Sequence, residues 1–331
     1  MKMLSTPSNA ATTLIDKRSV VGTIIVAAAF ALVIAAPAFL STYLVEIGFK
    51  LMLYIVLAEA WNLLAGYGGL VSLGTSSFFG LGAYVSVGLL NYLGAGLPLA
   101  LCASALAGMT LALVMSRGLF RLRGLHFTVG TLALAEALRL FVVNVPWFGG
   151  ATGLFVTLDL PDTPELFRVA ALLLALTTAI ISVATTSRFS VLLRAIRDDE
   201  DAASQVGVRA FRTKLAAFMV ASGLVAAAGG LQAAKLGAIE PYGSFGLQWS
   251  VDALAIVIIG GLGMRRGAVV GGLFFVAIGE LLADYPELHV ALTGVILILL
   301  IRFAPQGLCG LAEALLARRA AYRRLRTEGK S

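Results

Sequence analysis

Long runs of apolar residues, separated by short polar or glycine-rich segments, dominate this sequence. Several of these runs approach or exceed the roughly 20 residues that a helix needs to cross a bilayer. The pattern predicts an all-α polytopic membrane protein with about ten transmembrane helices, some of them broken by glycine. The predicted spans are residues 20–40, 47–65, 74–93, 97–116, 125–145, 168–184, 213–234, 251–262, 268–283 and 289–303.

The first apolar run is open to two interpretations, a retained helix or a cleaved signal peptide. We favour the retained helix, because residues 20–40 are longer than the roughly 7–15 apolar residues of a signal peptide. The chain then divides into a cytoplasmic segment at 1–19, a membrane domain at 20–303 and a basic cytoplasmic tail at 304–331.

Six glycines interrupt the helical pattern between residues 66 and 84. Two interpretations are open: close packing of helices through small residues, or a broken helix that lines a translocation path. Hydroxyl side chains on this segment can bond the backbone groups that a break leaves free. The polar candidates for a substrate path are Asn62, Tyr67, Ser72, Thr75 and Ser76.

The longest charged segment between apolar runs is residues 188–214. Its pattern predicts one or two short amphipathic helices that end at Gly207, since glycine tolerates a positive φ. A solvated loop between two membrane helices is the alternative to a docking element for a soluble partner. A modest apolar stripe of Leu192, Leu193, Ile196, Ala203 and Val206 favours docking, with Ala203 expected in a groove of the partner.

Composition and charge support the membrane assignment. The chain is 59% hydrophobic and 13% charged, with a mean hydropathy of +0.94, whereas soluble domains are nearer a quarter charged. The net charge of +7 requires no nucleic acid. With ten crossings and a cytoplasmic N-terminus, positively charged residues concentrate on the cytoplasmic side, as topology rules expect. The exceptions among 25 lysines and arginines are Lys50, Arg139, Arg168 and Lys235.

Motifs for soluble catalysis are missing from the sequence. There is no GxxxxGK[ST] phosphate-binding loop, no HExxH and no GxSxG. Cys102 and Cys309 are far apart, and His126 and His289 form no ligand cluster, so we expect neither a metal nor a cofactor. Transport is the favoured class, and the chain is not expected to be an enzyme.

Four acidic residues within the predicted spans leave the energy source open. Glu59, Glu136, Asp252 and Glu280 are either proton sites of a stand-alone secondary transporter or channel, or paired groups. Glu136 and Arg139 have the spacing that places both on one helix face. A structural membrane anchor is disfavoured, because it leaves the docking segment unexplained.

Five ordered motifs resemble the LivM-type permease subunits of branched-chain amino-acid ABC importers, over roughly residues 50–308. They are LAEAWNLLAGYGGLVSLGTSSFFGLGAY at 57–84, RLRGLHFTVGTLALAEALRL at 121–140, LLRAIRDDEDAASQVGVRAFRTKLAAF at 192–218, GGLGMRRGAVVGG at 260–272 and RFAPQGL at 302–308.

The resemblance implies a permease in the bacterial cytoplasmic membrane, surrounded by lipid. Its partners would be a second homologous permease, two cytoplasmic ATPase subunits and an external substrate-binding protein. The segment 188–211 would contain the cytoplasmic coupling helix, with apolar side chains in an ATPase groove and charges setting the register. The candidate contacts are Arg194, Arg197, Asp198, Asp199, Ala202, Ala203, Gly207 and Val208.

Two departures from the family leave the substrate open. The family commonly has a histidine where this chain has Thr75, and an aspartate where it has Leu125 and His126. Relatives with the same architecture include urea-type and aromatic-acid-type permeases, so these solutes stand beside branched-chain amino acids as alternatives.

Overall fold

A computed structural model describes residues 37, 39–157, 160–283, 291–292, 294–296, 298–299, 302 and 306–312. The segment 1–19, most of the predicted span 20–40, seven of the 15 residues of the predicted span 289–303 and most of the tail 304–331 lie outside these residues. The described part is built almost entirely from helices.

The helices of the membrane domain follow the predicted apolar runs. They are α1 (Thr42–Asn62), continued by a π-helix (Leu63–Tyr67), α2 (Thr75–Leu93), α3 (Leu97–Leu119), α4 (Leu125–Asn144), α5 (Thr163–Thr186), α6 (Arg188–Asp198), α7 (Glu200–Gln205), α8 (Ala210–Leu236), α9 (Pro241–Ser244), α10 (Gln248–Gly260) and α11 (Gly267–Leu281). Among described residues, five segments are long and apolar enough to cross a membrane: Leu97–Leu119, Leu125–Asn144, Thr163–Thr186, Ala210–Leu236 and Pro241–Gly260. The protein is therefore an all-α polytopic membrane protein.

Two predicted boundaries are wrong in an instructive way. The span predicted at 168–184 begins at Thr163, because its polar first turn, which holds Pro164 and Glu165, suits a helix N-terminus although it lacks hydropathy. The region 237–250, which the predicted spans 213–234 and 251–262 leave as a connection, contains α9 and a strand, β2 (Ala238–Ile239). That strand pairs antiparallel with β1 (Leu154–Phe155).

The core forms around α8, whose small residues allow neighbouring backbones to approach closely. A Cβ at Gly82 would lie 1.9 Å from the main-chain oxygen of Ala226, and one at Gly229 would lie 2.0 Å from that of Phe79. Neither contact leaves room for a side chain, so α2 and α8 touch through glycine. Packing through small residues, one of the two interpretations of the glycine-rich region, is therefore confirmed for residues 80–82.

Candidate functional site

The other interpretation, a broken helix, applies to residues 63–74. After α1 the chain widens into the π-helix Leu63–Tyr67 and then runs irregularly to Gly74, which precedes α2. Gly69 has a φ of 68°, a backbone conformation that L-residues with a side chain rarely adopt. Short π-helical segments and irregular backbone are frequent at functional sites of membrane proteins.

Hydroxyl groups hold the irregular segment in place. The Trp61 indole Nε1 donates to the main-chain oxygen of Ser72 over 2.8 Å, and the Ser72 hydroxyl accepts from the Gly74 amide. Ser250, on α10, accepts from the Ser76 amide at 3.0 Å and donates to the oxygen of Leu73 at 2.8 Å. Side chains thereby form hydrogen bonds with backbone groups that the break leaves free. Such bonds are needed because the membrane core has no water to bond these groups.

Asn62 joins this break to a second glycine-rich turn, which connects α10 with α11. Its Oδ1 accepts from the Gly263 amide at 2.8 Å, and its Nδ2 donates to the oxygen of Met264 at 3.1 Å. A Cβ at Gly66 would lie 2.6 Å from the Gly263 nitrogen. The two turns are therefore in direct backbone contact.

The five residues predicted for a substrate path are all buried, at 0–5% exposure. Asn62, Ser72 and Ser76 take part in the bonds that fix the break, and Tyr67 lies beneath the Arg194 guanidinium, 5.7 Å from its ring centre. The space beside Thr75 is only about 10 Å³. In this conformation the segment is closed. Ser76 bonds through its main-chain amide, and its buried hydroxyl has no hydrogen-bond partner among the described residues.

The charged stretch forms two helices, α6 and α7, with side-chain caps at both N-termini. The Ser187 hydroxyl accepts from the Phe189 amide, and Asp199 Oδ1 accepts from the amides of Asp201 and Ala202 at 3.0 and 2.9 Å. Such caps favour helix initiation. Gly207 follows α7 with a φ of 91°, which confirms the prediction that a positive φ ends the helix there.

One face of this pair is buried within the chain itself. Leu193 and Ile196 are 0% and 5% exposed, and Ala203 is 5% exposed in a small cluster with Ile196 and Ala210. The expectation that Ala203 inserts into a partner groove is therefore wrong, because its side chain is already packed under α7. The apolar stripe predicted from the sequence does not lie on one buried face, because Val206 is 82% exposed.

The remaining candidates for a coupling contact lie on the surface of the charged stretch. All are exposed except Val208, which is half-buried: Arg194, Arg197, Asp198, Asp199, Ala202, Gly207 and Val208. A groove of about 560 Å³ runs beside them. Phe189, Leu192 and Val206 give its wall apolar contacts, and Arg209 and Arg212 give it positive charge.

Arg197 connects this surface to the broken helix. Its Nη1 donates to the main-chain oxygen of Gly66 over 2.8 Å, and its Nε contacts Asp198. A Cβ at Gly69 would lie 2.6 Å from Arg197 Cγ, so the arginine stem packs directly on the break. Sequence reasoning nominated Arg197 for its charge but gave no signal for these long-range contacts.

Two ion pairs fasten α7 to the membrane domain. Arg123, before α4, makes two 3.0 Å bonds to Asp201, and Lys214 of α8 lies 2.6 Å from Glu200. Hydrogen bonding to Arg123, together with its charge, holds the pKa of the Asp201 carboxyl below its usual range. The charged stretch is thus anchored to the turn before α4 and to α8.

The four membrane acids have separate neighbours. Thr178 donates to Glu59, the predicted Glu136–Arg139 pair is confirmed, Tyr54 and Gln248 donate to Asp252, and Lys50 pairs with Glu280. Within the described part of the chain, no group of three His, Cys, Asp or Glu residues could hold a metal ion. Asp252 and Glu280 share a cavity, which sequence spacing did not indicate.

These features define a polytopic α-helical permease, in which an exposed charged helix pair contacts a broken membrane helix. The chain belongs to the family described as branched-chain amino acid transport system / permease component, which matches residues 43–301.

Among curated proteins, the chain is 30% identical to the high-affinity branched-chain amino acid transport system permease protein LivM of Salmonella typhimurium. That match covers 89% of this chain and 76% of the relative. The chain is also 27% identical to the autoinducer 2 import system permease protein LsrC of Photorhabdus laumondii, over 52% of this chain and 55% of that protein. LivH of Escherichia coli K12 is 30% identical over 38% of this chain and 41% of LivH. No solved structure matches the chain.

Proposed function

We propose that this protein is the permease subunit of an ATP-driven importer that carries branched-chain amino acids across the bacterial cytoplasmic membrane. The family assignment supports the transport role, and the names of the LivM and LivH relatives support the substrate. The sequence has no phosphate-binding loop, so ATP hydrolysis is assigned to partner subunits.

The observation that carries the proposal is the construction of the charged stretch. Helices α6 and α7 are capped, anchored by two ion pairs, and joined to the broken helix by Arg197. A solvated loop has no need of these contacts, whereas a coupling element must transmit force without deforming. We assign Arg194, Arg197, Asp198, Asp199, Ala202, Gly207 and Val208 to the contact with the ATPase, and Ala203 to support from beneath.

The assembly we propose contains two cytoplasmic ATPases, a second homologous permease and an external binding protein. In it, residues 187–214 face the cytoplasm, the chain crosses the membrane ten times, and both termini are cytoplasmic. The concentration of Lys and Arg on one side of this arrangement supports it. When the ATPases close, the docked helices pull on the break through Arg197, and the substrate-path segment 62–76 opens.

Reconstitution in liposomes tests the proposal. With the binding protein, the second permease and both ATPases present, leucine uptake should require ATP inside the vesicles. The matched control omits only the ATPases, and uptake should then stop. Uptake that persists without ATPases and follows an ion gradient would instead establish a secondary transporter. ATP-dependent uptake of urea or of an aromatic acid, without leucine uptake, would replace the proposed substrate.

A further inference from the structure

A cavity of about 440 Å³, lined by both charged and apolar side chains, lies between α1, α10 and α11. This volume falls within the range of small-molecule sites. Its walls combine Lys50, Tyr54, Gln248, Asp252 and Glu280 with apolar side chains that include Phe275 and Val276.

The cavity lies at the end of the molecule away from the charged helix pair. Along α1 and its π-helical extension, Lys50 is 16 residues before Gly66, where Arg197 binds, and these residues span roughly 24 Å at 1.5 Å per residue. Because the proposed function places the helix pair in the cytoplasm, the cavity belongs to the outer half of the membrane domain. A solute released outside would meet it before the closed break.

The two acidic residues of the cavity wall, Glu280 and Asp252, differ in their partners. Lys50 and Glu280 pair at 3.0 Å, and Glu280 also accepts from Tyr43. Asp252 is 6% exposed and receives only neutral donors, Tyr54 Oη at 3.2 Å and Gln248 Nε2 at 2.6 Å.

Among the described residues, Asp252 forms no ion pair, although Lys50 is close enough to interact with it electrostatically. A carboxylate at this depth is costly without a cation, and such residues commonly mark solute pathways.

We propose that this cavity binds the α-amino acid during import, with the substrate ammonium at Asp252 and its carboxylate at Lys50. The inference rests on the proposed function and adds a binding site to it. A zwitterionic amino acid matches the cavity wall. Its ammonium would pair with Asp252, which has no ion-pair partner among the described residues, and its carboxylate would accept a hydrogen bond from Lys50. Phe275 and Val276 offer apolar contact to an aliphatic side chain.

The test is protection of a cysteine on the cavity wall. In the importer complex in nanodiscs, Cys102→Ala and Cys309→Ala remove the native thiols, and Ala283→Cys places an exposed thiol at the cavity. Leucine should slow the reaction of this thiol with a methanethiosulfonate reagent. Ala151→Cys, which is exposed and outside the cavity, is the matched control and should react at an unchanged rate.

Analogues and variants assign the contacts. N-acetyl-leucine, which lacks the ammonium, and leucinol, which lacks the carboxylate, should protect only weakly. Asp252→Asn should raise the leucine concentration for half protection at least about tenfold, as expected for a lost charged hydrogen bond. Glu136→Gln, which removes a paired carboxylate elsewhere, should leave it unchanged. If Asp252→Asn does not assemble, Tyr54→Phe removes one donor to the same carboxylate and should weaken protection less.

Two results would overturn the site. One is leucine uptake by the complex without protection of Ala283→Cys, and the other is equal protection by leucine and N-acetyl-leucine. Either result would count against the site alone. Failure of the proposed function would be seen separately, as an absence of leucine uptake in the fully reconstituted importer.

Discussion

The Arg197 side chain binds the main-chain oxygen of Gly66 at a distance of 2.8 Å. Together with the Arg194 guanidinium over the Tyr67 ring, this bond joins the exposed charged helix pair to the π-helix at the end of α1. The last carbonyls of a helix lack partners within it, and a basic side chain is a favourable partner for them. A displacement of α6 therefore acts directly on the broken helix.

Replacement of this link should uncouple ATP hydrolysis from transport. We expect Arg197→Met, which keeps the apolar stem over Gly69 and alters only one of the seven residues assigned to the ATPase contact, to co-purify with the ATPases while leucine uptake falls about tenfold or more. Uptake beside ATPase activity in the reconstituted complex is the measurement. The control is Asp198→Asn, which removes the other partner of Arg197 and leaves the bond to Gly66. Loss of ATPase co-purification in Arg197→Met would show a docking role only.

Ala202 and Ala203 are adjacent, and we expect Ala202 to contact the ATPase and Ala203 to support the helix pair from beneath. Ala203→Glu should bury an unpaired carboxylate against Ile196 and Ala210, at a cost of about 3–5 kcal/mol. Ala202, which is exposed, should tolerate glutamate in the isolated subunit and lose affinity for the ATPases.

Protease resistance of the isolated subunit, compared with ATPase co-purification, distinguishes the two variants. An Ala203→Glu subunit as resistant as wild type, with only docking lost, would return Ala203 to the contact surface.

The Arg123–Asp201 pair should restrain the charged segment in a salt-dependent way, because both side chains are about two-thirds exposed or more. Arg123→Asp and Asp201→Arg should each speed proteolysis within residues 187–214, and the double exchange should restore resistance. The pKa of Asp201 is lowered in the fold, so the pair contributes fully above the ordinary aspartate range. That contribution is lost as the pH falls through the lowered value. Equal cleavage rates in the wild type, both single variants and the double variant would show that this ion pair does not anchor the charged segment.

Cysteine labelling in cells tests the proposed orientation. In a background without Cys102 and Cys309, Gln205→Cys should react only with reagents that reach the cytoplasm, and Ala151→Cys only from outside. Both positions are exposed, so access across the membrane decides the result. Reaction of both thiols from the same side would refute the ten-span arrangement.

Local patterns in the sequence determined where most of the described helices lie and some of their ends. The length of the apolar runs located the spans. Gly207 was recognised as a helix end because glycine, which has no side chain, readily adopts a positive φ. The Glu136–Arg139 pair followed from helical spacing alone. The family resemblance specified a branched-chain amino-acid permease, and the match over residues 43–301 confirms that family.

Tertiary structure alone decided which faces and charges meet. The sequence placed Ala203 toward a partner, but packing between helices against Ile196 and Ala210 buries it within the chain. The bond from Arg197 to Gly66 joins residues 131 positions apart, and Lys50 meets Glu280 across 230 positions. Periodicity reports only the environment that neighbours along one helix share, whereas these contacts depend on how separate helices pack, which no local pattern encodes.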